Sequence, residues 1–143
     1  MADLSVTANQ VGDASPHFSI RIPYIAAVAI DRGEGVYINS NGKAALADAS
    51  AAGTAVCRGI ALNDAGAGQI VDVLVLGYVS GFDLSSVNHD TIISVSNTAG
   101  AFDNGAGSPD VAAPIGRVTP LTDGSVTKVI FVNCLYNLVV LPA

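Results

Sequence analysis

Apolar residues in this chain do not recur with a helical period for more than about two turns anywhere, so a helical bundle is excluded and the core must be built from strands. The apolar segments are short, and turn-forming residues separate them. "SPHFSIRIPYIAAVAI" (Ser15 to Ile30) alternates through Phe18, Ile20 and Ile22 and then becomes continuously apolar. That pattern predicts a strand, a break at Pro23, and a second strand buried on both faces. "VCRGIAL", "TIISVSN" and "IGRVTPL" each read as a strand. "IVDVLVLGYVSGF" reads as one or two strands, with Gly77 marking a bulge or bend. "VTKVIFVNCLYNLVVL" supplies one or two more, the last of them expected to be central. Between them, "DRGEG" and "NDAGAGQ" are turns, and "DASAAGTA" is a short helical turn or a loop. "TAGAFDNGAGSPDVAAP" is a long loop. Asn41-Gly42 predicts a two-residue type I′ hairpin, because both residues tolerate positive φ. Residues 1–14 are polar and without periodicity, and are expected to form a mobile arm with no backbone partners in the domain.

The chain also resembles itself at an offset of 57 positions. Val36-Tyr37-Ile38 falls on Ile93-Ser94-Val95, Gly59 on Gly116, Gly68 on Ser125, and Val71–Val75 on Lys128–Val132. Each half reads as strand, small-residue loop, strand beginning near a glycine, turn, strand. The expected fold is therefore all-β, a small β-barrel or β-tulip-like domain built from two related motifs. Residues 15–143 make one domain behind the extended arm 1–14.

Few residues carry chemistry. The net charge is −6, from eleven Asp and one Glu against six scattered Lys and Arg. No basic patch faces phosphates, which argues against nucleic acid as a partner. The longest apolar run, Tyr24 to Ile30, is too short to span a membrane. No signal-peptide pattern opens the chain, so synthesis in a cytoplasm is expected. "AGAG" with Gly66 and Gly68 is the nearest approach to a phosphate loop. It lacks the third glycine and the Lys-Ser or Lys-Thr, and a strand rather than a helix follows it. Its repeat partner has no phosphate-loop character, so it is read as a turn. Ser85, His89 and Asp90 can be assembled into a triad on paper, but no nucleophile elbow accompanies them. The loop Asp103–Asp110 offers oxygens but not the spacing of a calcium loop. His17 and His89 lack companions at metal-binding spacing. Cys57 and Cys134 are read as reduced buried thiols, with a disulfide as the alternative. No catalytic residue, metal or cofactor is expected. Tyr24, Tyr37, Tyr78 and Tyr136 are scattered, and without Trp they make a poor sugar platform.

Three segments together resemble a known family. "GEGVYINSNGKAALADAS", "CRGIALNDAGAGQIVDVLVLGYVSG" and "IGRVTPLTDGSVTKVIFV" resemble the small capsid cement, or head decoration, proteins of tailed bacteriophages. The resemblance covers roughly residues 30–133. It implies a β-tulip or barrel, and homotrimers on the outside of the virion that clamp neighbouring major capsid subunits. It brings no catalytic motif and no small-molecule substrate. The extended start and the apolar end "NLVVLPA" depart from the family, which leaves the mode of attachment to this chain's own features. Within the arm, Leu4, Val6 and Val11 are the expected capsid contacts, since a free segment can order on a neighbour. The competing expectations are another phage structural subunit, of tail or head completion, and a small β-barrel enzyme or ligand-binding module.

Overall fold

The structure is a computed structural model that describes residues 3–15, 18–104, 110–120 and 127–135, with the backbone of 141–142. It is nearly all-β. The strands are β1 (Gly12–Asp13), β2 (Ile20–Ile25), β3 (Gly35–Ile38), β4 (Ala44–Leu46), β5 (Gly59–Ala61) and β6 (Ile70–Ser80). They continue as β7 (Ile92–Val95), β8 (Phe102–Asp103), β9 (Val111–Ala112), β10 (Pro114–Pro120), β11 (Lys128–Asn133) and β12 (Leu141–Pro142). One four-residue helix, α1 (Ala52–Ala55), fills the "DASAAGTA" segment.

Ten strands form one curled, half-barrel sheet in the order β4-β3-β5-β6-β11-β10-β7-β8, with β1 and β2 also paired to β6. All the pairings are antiparallel. The 57-residue offset is carried by the registers. Val36 opposes Gly59, and Ile93 opposes Gly116. Ile60 opposes Leu74, and Arg117 opposes Phe131. Ala61 opposes Val73, and Val118 opposes Ile130. The β4 and β8 edges match less closely, since the β7–β8 register is displaced by one residue.

The repeat is larger than the sequence indicates, because β6 belongs to both motifs. Arg21 and Ile22 of β2 oppose Leu74 and Val73, and at the same offset Tyr78 and Val79 of β6 oppose Phe131 and Ile130. The first half of β6 closes the first motif, and its second half opens the second. Backbone bonds show how one strand serves both. Asp72 accepts from Leu62 on the β5 side, while Gln69 accepts from Ala26 on the β2 side. Farther along, Val75 accepts from Cys134, and Tyr78 accepts from Ala14. In a regular strand backbone groups alternate between edges. Hence β2 and then β11 occupy one edge of β6, and β5 and then β1 the other. The register slips at Ile20/Arg21, where β2 gives way to β11.

The curl closes through loops rather than a ladder. Gly35 N–H donates to Gly100 O at 3.0 Å, and Gly100 N–H donates to Ala47 O at 2.8 Å. Ala49 donates to Ser96 O and accepts from Val111 N–H. These bonds join the outer edge of the first motif to that of the second. The enclosed core holds Val36, Ile60, Val71, Val73, Val79, Ile93, Val95, Phe102, Ile115, Ile130 and Val132, all buried. Cys57 and Cys134 are buried in the same cluster and are not joined by a disulfide.

Several local expectations are corrected. Pro23 does not break its strand: β2 runs through it, and residues 26–30 touch the sheet only by bridges at Ala26 and Ile30. The hairpin at Asn41-Gly42 is longer than two residues. Only Gly42 has positive φ, at 78°, and Asn39 organises the loop by accepting at Oδ1 from the N–H groups of Asn41 and Lys43. β11 is the inner strand of the C-terminal segment, whereas β12 pairs with β9 in a separate two-stranded sheet. Residues 136–140, part of the expected central strand, lie outside the described residues, as does Ser125.

Gly59 and Gly116 are the equivalent positions where this packing leaves no room. A Cβ on Gly59 would overlap Leu74 O, and one on Gly116 would overlap Phe131 O, and those acceptors are themselves repeat equivalents. Gly59 also has φ of 154°, where side chains are rarely accommodated. Gly59→Ala and Gly116→Ala should each lower stability by about 2 kcal/mol or more, since backbone must move to relieve the overlap. Gly53→Ala in α1 meets nothing within 4 Å and should be neutral or gain about 0.5 kcal/mol. Denaturant midpoints of the three variants check this contrast.

Candidate interaction surface

The segment read as an arm is laid along the domain. Leu4 N–H donates to Phe102 O at 2.8 Å, Thr7 N–H donates to Gly81 O at 2.9 Å, and Asp83 N–H donates to Ser5 O at 2.9 Å. Asp3 forms a bridge with Asp103 and accepts at Oδ1 from the Ser96 hydroxyl. Val6 bridges to Phe82, and β1 pairs with the end of β6. This corrects the expectation that residues 1–14 lack backbone partners, for those from Asp3 onward. The reason is that the second half of β6 has a free edge, and an extended polar segment can satisfy it. The three expected contact residues separate accordingly. Val11 is 4% exposed and belongs to the core, Leu4 is half-buried against it, and Val6 is 42% exposed. Of the three, Val6 presents side chain to solvent.

Asp13 pins the far end of this strap. It accepts from Ser15 N–H at 2.9 Å and lies 3.7 Å from the Arg21 guanidinium. Partial burial opposes its charge, but hydrogen bonds from Ser15 and Ser19 and the attraction of Arg21 outweigh it, and its pKa falls below the ordinary value.

The repeat exposes an asymmetry at the opposite position. β1 covers the outer edge of the second half of β6, whose counterpart is the outer edge of β2. No described strand covers that edge of β2. Ala26 donates to Gln69, so Tyr24 and Ile22 direct their backbone groups to β6, and Pro23 directs its nitrogen outward. Pro23 stands where the repeat has Ser80, and it offers no N–H to an added strand. The edge is thus guarded against strand addition but is apolar in its side chains. Ile25 and Ile70 oppose each other and are 47% and 65% exposed. Ile22, on the other face of β2, and Val28 and Phe18, outside the strand, are also exposed, Phe18 at 67%. Large apolar side chains grouped at one edge mark a contact surface more often than a solvated one. The sequence predicts burial on both faces for Tyr24 to Ile30; Ala26 and Ile30 are core, whereas Ile25 and Val28 are exposed, because an apolar run alone does not say which strand has a neighbour on each side.

The glycine-rich turn holds no anion cradle. Gly66 N–H donates to Gln69 Oε1 at 2.7 Å, Gly68 N–H donates to Ala26 O at 2.8 Å, and strand β6 follows. The paper triad does not assemble. Ser85 Oγ donates to Asp83 at 2.7 Å, and the Asp90 carboxylate lies 3.4 Å from Arg117. His89 and Ser85 are exposed. His17 and residues 105–109 of the long loop lie outside the described residues. Among the described residues no group of three His, Cys, Asp or Glu is placed to hold a metal ion, and no helix is long and apolar enough to cross a membrane. Two of the scattered tyrosines share a cleft. Tyr24 and Tyr37 line a cleft of about 520 Å³ with Ile38, Gly53, Val56 and Arg58.

No protein-family profile matches this chain, no curated protein matches its sequence, and no solved structure matches its fold.

Two predictions follow from the strap. Removing residues 1–13 exposes the Val11 pocket and the β6 edge, so the melting temperature should fall by several degrees. Val11→Asp should do the same, since a buried unpaired carboxylate costs more than the lost methyl groups. Calorimetry showing an unchanged midpoint for both would mean that the strap contributes nothing to the fold. For Asp13 the lowered pKa means its stabilising contribution is present above the ordinary value of 3.8 and is lost as pH falls through the lower, folded value. Asp13→Asn should therefore be less stable than the parent at neutral pH, and the gap should close in acid. Parallel melts across the pH range read it out.

Proposed function

We propose that this chain is a structural virion protein that binds the outer surface of a phage capsid and cements its major capsid subunits, stabilising the head. The observation that carries the reading is the exposed apolar pair at the β2 edge, Ile25 opposite Ile70, on the curled sheet. A cement protein requires a domain that keeps its shape and a surface to be covered on assembly. The segments that resemble the decoration family supply the scaffold strands β3, β5, β6, β10 and β11. In this reading the apolar edge is covered by neighbouring copies in a homotrimer, and exposed Val6 lies among the contacts to the major capsid protein. A modest interface per copy suffices, because a trimer engages several subunits at once. The protein acts without cofactor, nucleic acid or membrane, and resides on the capsid after synthesis in the host cytoplasm.

A ligand-binding reading has one observation in its favour, the Tyr24–Tyr37–Arg58 cleft, where two rings and a guanidinium converge.

Co-sedimentation with expanded, undecorated heads tests the proposal. The parent chain should pellet with heads and raise their survival on heating, and light scattering should show a trimer in solution or on the shell. Ile25→Asp with Ile70→Asp should lose trimerisation and head occupancy together, while the isolated chain keeps its melting temperature. A parent chain that stays in the supernatant with heads but pellets with tails would assign it to another virion structure.

A further inference from the structure

Cys57 and Cys134 are far apart in the chain and meet in the core. Cys57 lies two residues before β5, and Cys134 directly follows β11. These strands border β6 on opposite edges, so each thiol belongs to a different motif. Cys134 is anchored by its N–H to Val75 O at 2.9 Å, and Cys57 Sγ donates to Gly59 O at 3.3 Å. Both side chains are buried in one core cluster, and each thiol is the foremost influence on the ionisation of the other. The pair is unequal. Cys134, backbone hydrogen bonds at Gly59 and Val36 and the charge of Arg58 hold the Cys57 thiol below its ordinary value despite burial. Cys57 and burial push Cys134 up.

We propose that Cys57 and Cys134 form a reducible internal disulfide, closed by exchange with a low-molecular-weight disulfide, that staples the two β-motifs across β6. Cys57 gives up its proton and attacks one sulfur of the small disulfide. That S–S bond breaks, and the departing thiolate takes a proton. Cys134 then loses its proton and attacks the Cys57 sulfur of the mixed disulfide, releasing the second small thiol. Two protein thiols are oxidised, and one small disulfide is reduced to two thiols. Because both sulfurs are buried, exchange waits on local opening. Leu135, next in the chain to Cys134, is 40% exposed. The bond closes a loop spanning more than half of the chain, which restricts the unfolded ensemble and adds to stability. The chain would thus be a dithiol in a reducing compartment and a covalently locked barrel outside it. This holds whether or not the domain cements a capsid.

The test uses the full reduced chain, equilibrated with a series of oxidised-to-reduced glutathione ratios just below its melting temperature, where opening is frequent. The expected product is about 2 Da lighter, the mass of two hydrogens, and runs as a single chain. Its Cys57 and Cys134 peptides are linked, and its melting temperature is several degrees higher until dithiothreitol restores the parent value. Cys134→Ala should show no such oxidant-dependent rise. Four results overturn the proposal: stable glutathione adducts, cross-links between chains, thiols unreacted at every ratio, or a linked product that melts no higher than the dithiol. The mass and linkage of the parent chain decide the matter even if Cys134→Ala does not fold.

Discussion

Two missing side chains set the geometry of this domain. Gly59 and Gly116 let β5 and β10 press against β6 and β11 so closely that a Cβ would overlap the carbonyl oxygens of Leu74 and Phe131. Neither contact is a turn requirement. Each lies within a strand pairing, where a glycine ordinarily weakens a sheet by entropy and lost packing. Its presence there is explained by close approach. The tight crossing in each motif lets the sheet curl enough for loops around Gly35, Ala49 and Gly100 to meet across the open side. Without the curl the apolar faces of β3, β7 and β10 would have nothing to pack against, since the described residues include no helix longer than four residues.

The second economy is the sharing of β6. Two motifs of five strands would need ten strands, but one eleven-residue strand serves as the last of the first and the first of the second. The sharing leaves two equivalent outer edges, and the protein treats them differently. The strap ending in β1 covers one. The other, on β2, is left to Pro23, which removes the outward N–H, and to a set of exposed isoleucines. A guarded backbone with apolar side chains favours association through side-chain burial over strand addition, and strand addition is the route that leads to uncontrolled aggregation. That combination is what the proposed assembly with defined neighbours would use.

Chemistry is correspondingly sparse. The polar groups that looked reactive in sequence are spent on local structure, Ser85 on Asp83 and Gly66 on Gln69, and Lys128 likewise bonds the carbonyls of Leu84 and Val87. Buried polar groups do much the same. Ser96 joins the strap to the second motif through Asp3 and also accepts from Thr98 N–H. The two thiols stand apart from this pattern, because they enter one core cluster from either side of the motif boundary.

What the sequence alone determined was local and periodic. Alternation and turn residues are properties of neighbouring positions, so the strands at Val36, Gly59, Ile70, Ile92 and Lys128 were legible, as was the all-β class. The offset of 57 was legible too, since a repeat is a comparison of the chain with itself. Tertiary structure decided everything that depends on who lies beside whom. A polar, aperiodic segment such as residues 3–13 carries no sign of whether an edge elsewhere awaits it, and its pairing with β6 made Val11 core. The run Tyr24 to Ile30 is apolar whether its strand is central or outermost, and only the neighbours of β6 placed its start, Tyr24 and Ile25, at an edge while Ala26 and Ile30 entered the core. Tyr24 with Tyr37, and Cys57 with Cys134, are brought together by the curl of the sheet. The physical reason is common to all four cases: hydrophobic and hydrogen-bonding patterns specify what a segment needs, while the closed sheet specifies which distant segment supplies it.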